Sequence, residues 1–398
     1  MKEINLDYAA AAPVDGKVLE AMLPYFTDYF GNPSSGHKLG DKPRKALEEA
    51  RENVARLIGS SPKEIVFTAS ASEANNLAIK GIAKAFSKKG NHIIASAIEH
   101  FSVLNQLKTL EKEGFKVTLL PVDRYGMVDP KQLEAEISEE TILVSIQTAN
   151  PEIGTIQPIE ELTSLTRERG IPFHTDAAAA VGWIPIDVEK MGVDLLSLAG
   201  DQFYGPKGSG ALYVRRGVRL SPLIEGGIQE RGLRAGTENV AAVAGLGEAA
   251  KLASETMHDR SKKVAAIRDQ LRESLFESIP HLHLNGHPEK RLPRNLNVTV
   301  EFVEGEALLM RLEMVGIYVS SGSSCTSQAL KSSHVLKAIG VLPELAQGSL
   351  QLTLGVENSA DDIPYITEHL GKVAEVLRNM SPLYHQYLKE GNKDAPVQ

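Results

Sequence analysis

His174-Thr175-Asp176-Ala177-Ala178, leading through the apolar run Leu195–Leu198 to Phe203-Tyr204-Gly205-Pro206-Lys207-Gly208, is the stretch that decides the fold. The run Ile171–His174 reads as a short buried strand that delivers a carboxylate, Asp176, at its carboxyl end. Working outward, the same rhythm recurs at Ile65-Val66-Phe67-Thr68, His92–Ala95, Val117–Val122, Ile142–Ile146 and Ala211–Val214, with helical patterns between the runs. Short apolar runs separated by helical crossovers predict a mostly parallel, seven-stranded sheet covered on both faces. In such sheets ligands bind beyond the carboxyl ends of the strands, where the chemically informative residues of this chain fall.

After about residue 255 the pattern changes. Helical stretches at Ser261–Ser278 and Gly305–Met314 flank an alternating strand, Leu296–Phe302. A strand at Ser349–Leu354 then precedes a helix at Ala360–Arg378. The expected organisation is a large α/β domain over 15–254 and a small α+β domain built from 1–14 and 255–398. A net charge of −8 argues against nucleic acid or an acidic membrane surface as partner. No stretch approaches the roughly 18 apolar residues of a membrane helix. The single cysteine, Cys325, excludes an intrachain disulfide and a multi-cysteine zinc site. With no membrane-length stretch, no signal-like pattern and one cysteine, the expected compartment is the cytoplasm; no acidic or histidine spacing fits a standard metal site, so the expected metal is none.

Three collinear segments carry a resemblance. They are Leu6-Asp7-Tyr8-Ala9-Ala10 with Gly31-Asn32-Pro33-Ser34-Ser35-Gly36-His37, then the deciding stretch above, then Glu230-Arg231-Gly232-Leu233-Arg234-Ala235-Gly236-Thr237 with Ser320-Ser321-Gly322-Ser323-Ser324-Cys325. In this order they resemble cysteine desulfurases of the NifS/IscS type, in the class V aminotransferase group of fold-type I pyridoxal-phosphate proteins. The resemblance implies a homodimer, a pyridoxal phosphate held on a lysine, and transfer of sulfur from cysteine to a loop cysteine as a persulfide. The cofactor would supply the electron sink, and the protein binding and orientation. By the same resemblance Asp176 would pair with the pyridinium nitrogen and His100 would stack on the ring. Ala71, Ser72 and Thr237 would hold the phosphate, Thr237 across the dimer, and Cys325 would carry the persulfide. Each has a plainer reading as well: Asp176 and Ser72 as helix caps, His100 as a structural histidine, Cys325 as a small apolar side chain.

The pattern is broken where the chemistry would be done. Gln202 stands where the family places the Schiff-base lysine, within Ala199-Gly200-Asp201-Gln202. A carboxamide nitrogen has a delocalised lone pair and forms no imine. Ala199 and Asp201 replace the serine and histidine that help to hold the phosphate. Ala179 replaces the glutamine that would bond the ring hydroxyl. Pro151 replaces the second asparagine of an Asn-Asn-Glu turn and has neither the amide side chain nor a backbone N–H. Gln351 replaces the arginine that would clamp the substrate carboxylate, trading a bidentate charged pair for a neutral contact. Ala11, Ala12 and Ile228 also depart from the pattern.

The expectation is a desulfurase scaffold that has lost ordinary desulfurase chemistry. It would act in sulfur relay or in iron–sulfur or thio-cofactor assembly through Cys325, with scaffold or sulfur-acceptor proteins as partners. Two alternatives stand beside it: a genuine cysteine desulfurase with an unorthodox site, and a re-specialised ligand- or cluster-binding protein.

Overall fold

The structure, a computed structural model, describes residues 2–321 and 333–389. Its twelve strands in chain order are β1 (Ile4–Asn5), β2 (Ile65–Thr68), β3 (His92–Ser96), β4 (Lys116–Leu120), β5 (Thr141–Ser145), β6 (Phe173–Asp176), β7 (Leu195–Ala199), β8 (Gly210–Val214), β9 (Leu282–Asn285), β10 (Asn295–Val300), β11 (Ile317–Tyr318) and β12 (Ser349–Thr353). Every apolar run singled out in the sequence is a strand of one seven-stranded sheet, ordered β2-β8-β7-β6-β5-β3-β4. Pairings are parallel except at β8, which runs antiparallel to both β7 and β2. Strands β2, β3, β5, β6, β7 and β8 are buried along their whole length. That is why their sequences read as unbroken apolar runs: helices cover both faces.

The chain leaves β3 outward to β4, then returns past β3 to β5 before stepping on to β6 and β7. The direction of winding therefore reverses between β3 and β5, and a crevice opens above their carboxyl ends. A three-stranded antiparallel sheet, β12-β10-β9, forms the smaller unit. The amino-terminal segment joins it through β1, which pairs with β11, and through Leu6 and Tyr8 in its apolar cluster.

The helix Val240–Ser278 is continuous over 39 residues. Its first half packs Val243, Leu246 and Ala250 into the large core. Its second half packs Val264, Ile267, Leu271 and Leu275 into the small one. The transition expected near residue 255 thus falls inside a helix. Helix Lys38–Ile58 crosses it closely: a Cβ on Gly247 would sit 2.4 Å from Ala50 Cα. That helix ends at Gly59 in the left-handed conformation, φ 69°, where glycine carries no Cβ penalty.

Candidate functional site

The crevice between β3 and β5 holds a cavity of about 190 Å3. Its walls unite segments far apart in sequence: Asp7, Ala9 and Ala10 from the amino terminus, Glu99 and His100 after β3, and Asn150, Pro151 and Glu152 after β5. Ser320, His334 and Gln351 come from the small unit.

Two of the residues expected to depart from the family pattern, Pro151 and Gln351, meet here. Gln351, on β12, donates from Nε2 to the carbonyl of Pro151 at 2.7 Å. That same carbonyl accepts from Asn295 Nδ2 at 2.9 Å. The Gln351 amide is thus spent on protein backbone.

In the cavity wall, two carboxyl groups sit in unusual states. Glu99 is fully buried; its Oε1 accepts from Ser96 Oγ at 2.5 Å and from the Gln147 backbone N–H at 2.9 Å. Oε2 has no hydrogen-bond partner among the described residues. Burial pushes its pKa up to about 8. Glu152 accepts from Ser333 Oγ at 2.8 Å through Oε2, leaves Oε1 unpartnered, and is pushed by burial to about 7. Taking a carboxylate out of water disfavours its charged form, so the protonated acid is favoured at Glu99 at neutral pH. His334 bonds the Glu99 carbonyl at 3.0 Å through Nε2, and its ring lies 4.7 Å from that of Phe101.

Asp176 closes β6 and is buried, but it does not line the cavity. Its Oδ2 accepts from Asn75 Nδ2 at 2.7 Å and its Oδ1 from the Ala178 N–H at 3.0 Å. Asn75 Nδ2 also reaches Ser102 Oγ at 2.8 Å, and that hydroxyl lies 2.8 Å from His100 Nδ1. Asp176 and His100 are therefore joined by a two-residue relay. His100 itself caps the helix Phe101–Lys112, accepting from the Ser102 N–H. His174, in the same deciding stretch, is structural. It lies between Ser145 Oγ and Ser197 Oγ at 2.8 and 3.0 Å, tying β6 to both neighbours, and burial drives it down to about 3.

The helix start expected at Ser72 needs a correction. The expected cap Ser72 lies inside the helix, which begins at Ala71; the cap is Ser70, whose hydroxyl accepts from the Glu73 N–H at 3.1 Å. Glu73 reciprocates by accepting from the Ala69 N–H at 2.9 Å. Ser70 with Glu73 three residues on is a capping-box pattern, a signal present in the sequence and read two residues late. Thr237 is exposed in the loop before Val240. That loop is anchored through Glu230, which sits at positive φ (45°). Its buried carboxylate takes a bidentate pair from Arg51 at 2.7 and 2.9 Å and a bond from the Phe67 N–H.

Ala199 is the buried last residue of β7, and Ala179 is buried in the turn after β6. Asp201 and Gln202 lie in the 3-10 turn Gly200–Phe203 that follows β7. Burial raises the pKa of Asp201. The Gln202 amide is engaged at both ends: Nε2 donates to the Ala9 carbonyl at 3.0 Å, and Oε1 accepts from Arg294 Nη2 at 2.7 Å. Cys325 lies outside the described residues.

Sequence reasoning passed over Glu99, Glu152, Asn75 and Arg294. The first two were visible as neighbours of His100 and Pro151. Arg294, in Leu292-Pro293-Arg294-Asn295, carries no local signal of burial. Among the described residues no group of three or more His, Cys, Asp or Glu could hold a metal ion, and no helix is long and apolar enough to cross a membrane.

Comparison with known proteins follows the same lines. The Aminotransferase class-V family model matches residues 4–366. Cysteine desulfurase IscS of Methanosarcina thermophila is 50% identical over 382 residues, covering 96% of this chain and 94% of that protein. Cysteine desulfurase IscS 1 of Archaeoglobus fulgidus is 49% identical over 380 residues, covering 96% and 99%. A solved NifS-like protein superposes with a TM-score of 0.88 at 38% identity, covering 94% of this chain and 99% of its own.

Proposed function

The chain belongs to the class V aminotransferase family, as a homologue of the IscS and NifS-type cysteine desulfurases, and from that premise we propose that it keeps their scaffold while having lost ordinary pyridoxal-phosphate-dependent desulfuration. It would then serve sulfur relay, or iron–sulfur or thio-cofactor assembly, through Cys325.

One observation carries this reading: the side chain at position 202 is a carboxamide, and both its ends are bonded to protein. The residues present do not fit a covalently held pyridoxal phosphate, because no primary amine stands at that turn. Supporting it, Gln351 is bonded to Pro151, so an amino-acid carboxylate finds neither the guanidinium nor a free amide there. Asp201 and Ala199, in place of neutral or cationic phosphate donors, add a carboxyl group and remove a hydroxyl.

The Asp176–Asn75–Ser102–His100 relay favours a second reading, a genuine desulfurase that binds the cofactor without a covalent link. The division into 15–254 and 1–14 with 255–398, the cytoplasmic location and the homodimer belong to the same proposal. The exposed apolar side chains Leu19, Leu23, Phe26 and Phe30 form the kind of surface that a second copy covers. Partners would be scaffold or sulfur-acceptor proteins.

The test is the absorbance spectrum of the purified protein with added pyridoxal phosphate, together with sulfide release from L-cysteine. No band near about 410–420 nm and no sulfide are expected, since the cofactor's chemistry depends on its link to an amine. A stable yellow protein that desulfurates cysteine would establish the second reading.

A further inference from the structure

Gln202 and Arg294 are two halves of one arrangement. Arg294 precedes β10 and is 1% exposed. Its guanidinium lies over the Trp183 ring, 4.8 Å from the centroid. It donates to the Tyr8 carbonyl at 3.4 Å, to the Gln202 carbonyl at 3.1 Å and to Gln202 Oε1 at 2.7 Å. Trp183 Nε1 donates to the same Gln202 carbonyl at 2.8 Å. A second guanidinium, Arg260, lies over the same indole at 4.9 Å. Burial pulls Arg294 down to about 10, so it remains a cation at neutral pH. Its partners are carbonyl and carboxamide oxygens, contributed by the amino-terminal segment and by the turn after β7.

Resting on the reading that position 202 no longer carries the reacting amine, we infer that Gln202 has been re-fitted as the carboxamide ligand of Arg294, and that Arg294 is the second residue barring a cationic amine from position 202. Glutamine presents an acceptor to the guanidinium. Lysine would present an ammonium in its place, a few ångströms from a buried cation. Among the described residues the charged or titratable groups that act on this turn are Arg294, Arg260, Tyr204 and Lys207, with Asp201 in the turn itself, where it is hydrogen-bonded to the Gln202 side chain. Two like charges about 4 Å apart at an effective dielectric near 20 shift a pKa by on the order of three units. The pair also joins segments that meet only in the folded chain. Arg294 enters from the small sheet, Gln202 from the large one and Tyr8 from the amino terminus. Reinstating an amine is therefore a two-residue change.

The experiment compares wild type, Gln202→Lys, Arg294→Gln and the double variant as full-length chains, by denaturant unfolding between pH 6 and pH 9. Gln202→Lys is expected to lower the folding equilibrium constant by on the order of 100-fold or more at pH 6. The deficit should shrink several-fold by pH 9, as the depressed amine loses its proton. In the Arg294→Gln background most of the deficit and its pH dependence should vanish. An equal deficit with and without Arg294, or none at all, overturns the inference. Should Gln202→Lys fail to fold, Gln202→Met removes the acceptor without adding charge. It is expected to cost roughly 10-fold or more only when Arg294 is present, and an equal cost in both backgrounds overturns the pairing. Sulfide release by wild type would refute the proposed loss of activity while leaving this cycle to stand or fall by itself.

Discussion

Replacing Glu99 by glutamine should change how the stability of the protein depends on pH more than it changes stability itself. Glu99 is fully buried, and burial carries its pKa from 4.5 to about 8. In the unfolded chain the same carboxyl releases its proton near 4.5. Between those values the folded state holds one more proton than the unfolded state, so stability falls as pH rises through that window and levels off above about 8. At 1.36 kcal/mol per pKa unit the interval corresponds to on the order of 5 kcal/mol, fully retained below about pH 4.5. Glutamine keeps an oxygen to accept from Ser96 Oγ and the Gln147 N–H, has nearly the same volume and does not ionise. Urea unfolding of wild type and Glu99→Gln at intervals from pH 5 to pH 8.5 isolates the effect, because the slope contributed by Glu152 is common to both. The variant should be close to wild type at pH 5 and several kcal/mol more stable, relative to it, at pH 8.5. Parallel pH profiles would refute the claim that Glu99 is held protonated.

Three further outcomes are expected. Ser70→Ala removes the cap of the helix Ala71–Phe86 and should cost about 1 kcal/mol in urea unfolding, whereas Ser72→Ala should cost much less. Gly247→Ala places a methyl 2.4 Å from Ala50 Cα in the crossing helix, and thermal or chemical unfolding should show a loss of about 1–3 kcal/mol. His283 bonds Glu301 at 2.6 Å, and that bond raises its pKa. The stabilisation is present below the unfolded histidine pKa and lost as pH rises through the folded one, so His283→Gln should destabilise the protein more at pH 5.5 than at pH 8.5.

The strands of the large sheet other than the edge strand β4 were legible because they are buried on both faces, which compresses their sequence into continuous apolar runs that no helix interrupts. The helix Val240–Ser278 was harder to read. Its first stretch, Val240–Ala253, is rich in small apolar residues and its second half is more polar, so one helix looked like two stretches with a boundary between them. The candidate site was legible in its residue types but not in its bonding. Gln202, Pro151 and Gln351 read, from the resemblance alone, as departures from a family pattern. That Gln351 holds Pro151, and that Gln202 holds an arginine distant in sequence, depends on tertiary contacts with no local signature. The misplaced cap has a simpler cause: three serines or threonines crowd Thr68–Ser72, and the spacing of Ser70 to Glu73, with the backbone at Ser70 extended at φ −173°, selects between them.

The helix Val240–Ser278 spans roughly 58 Å at 1.5 Å per residue, and it belongs to both halves of the molecule at once. A chain severed near residue 255 would strand Val264, Ile267, Leu271 and Leu275 on one fragment and Val243, Leu246 and Ala250 on the other, each half-stripe bared to water. Gene fission or nicking at that point should therefore yield fragments that bare apolar surface and associate or precipitate. Rearrangements that spare this beam have to recruit new material at the chain ends or in surface loops.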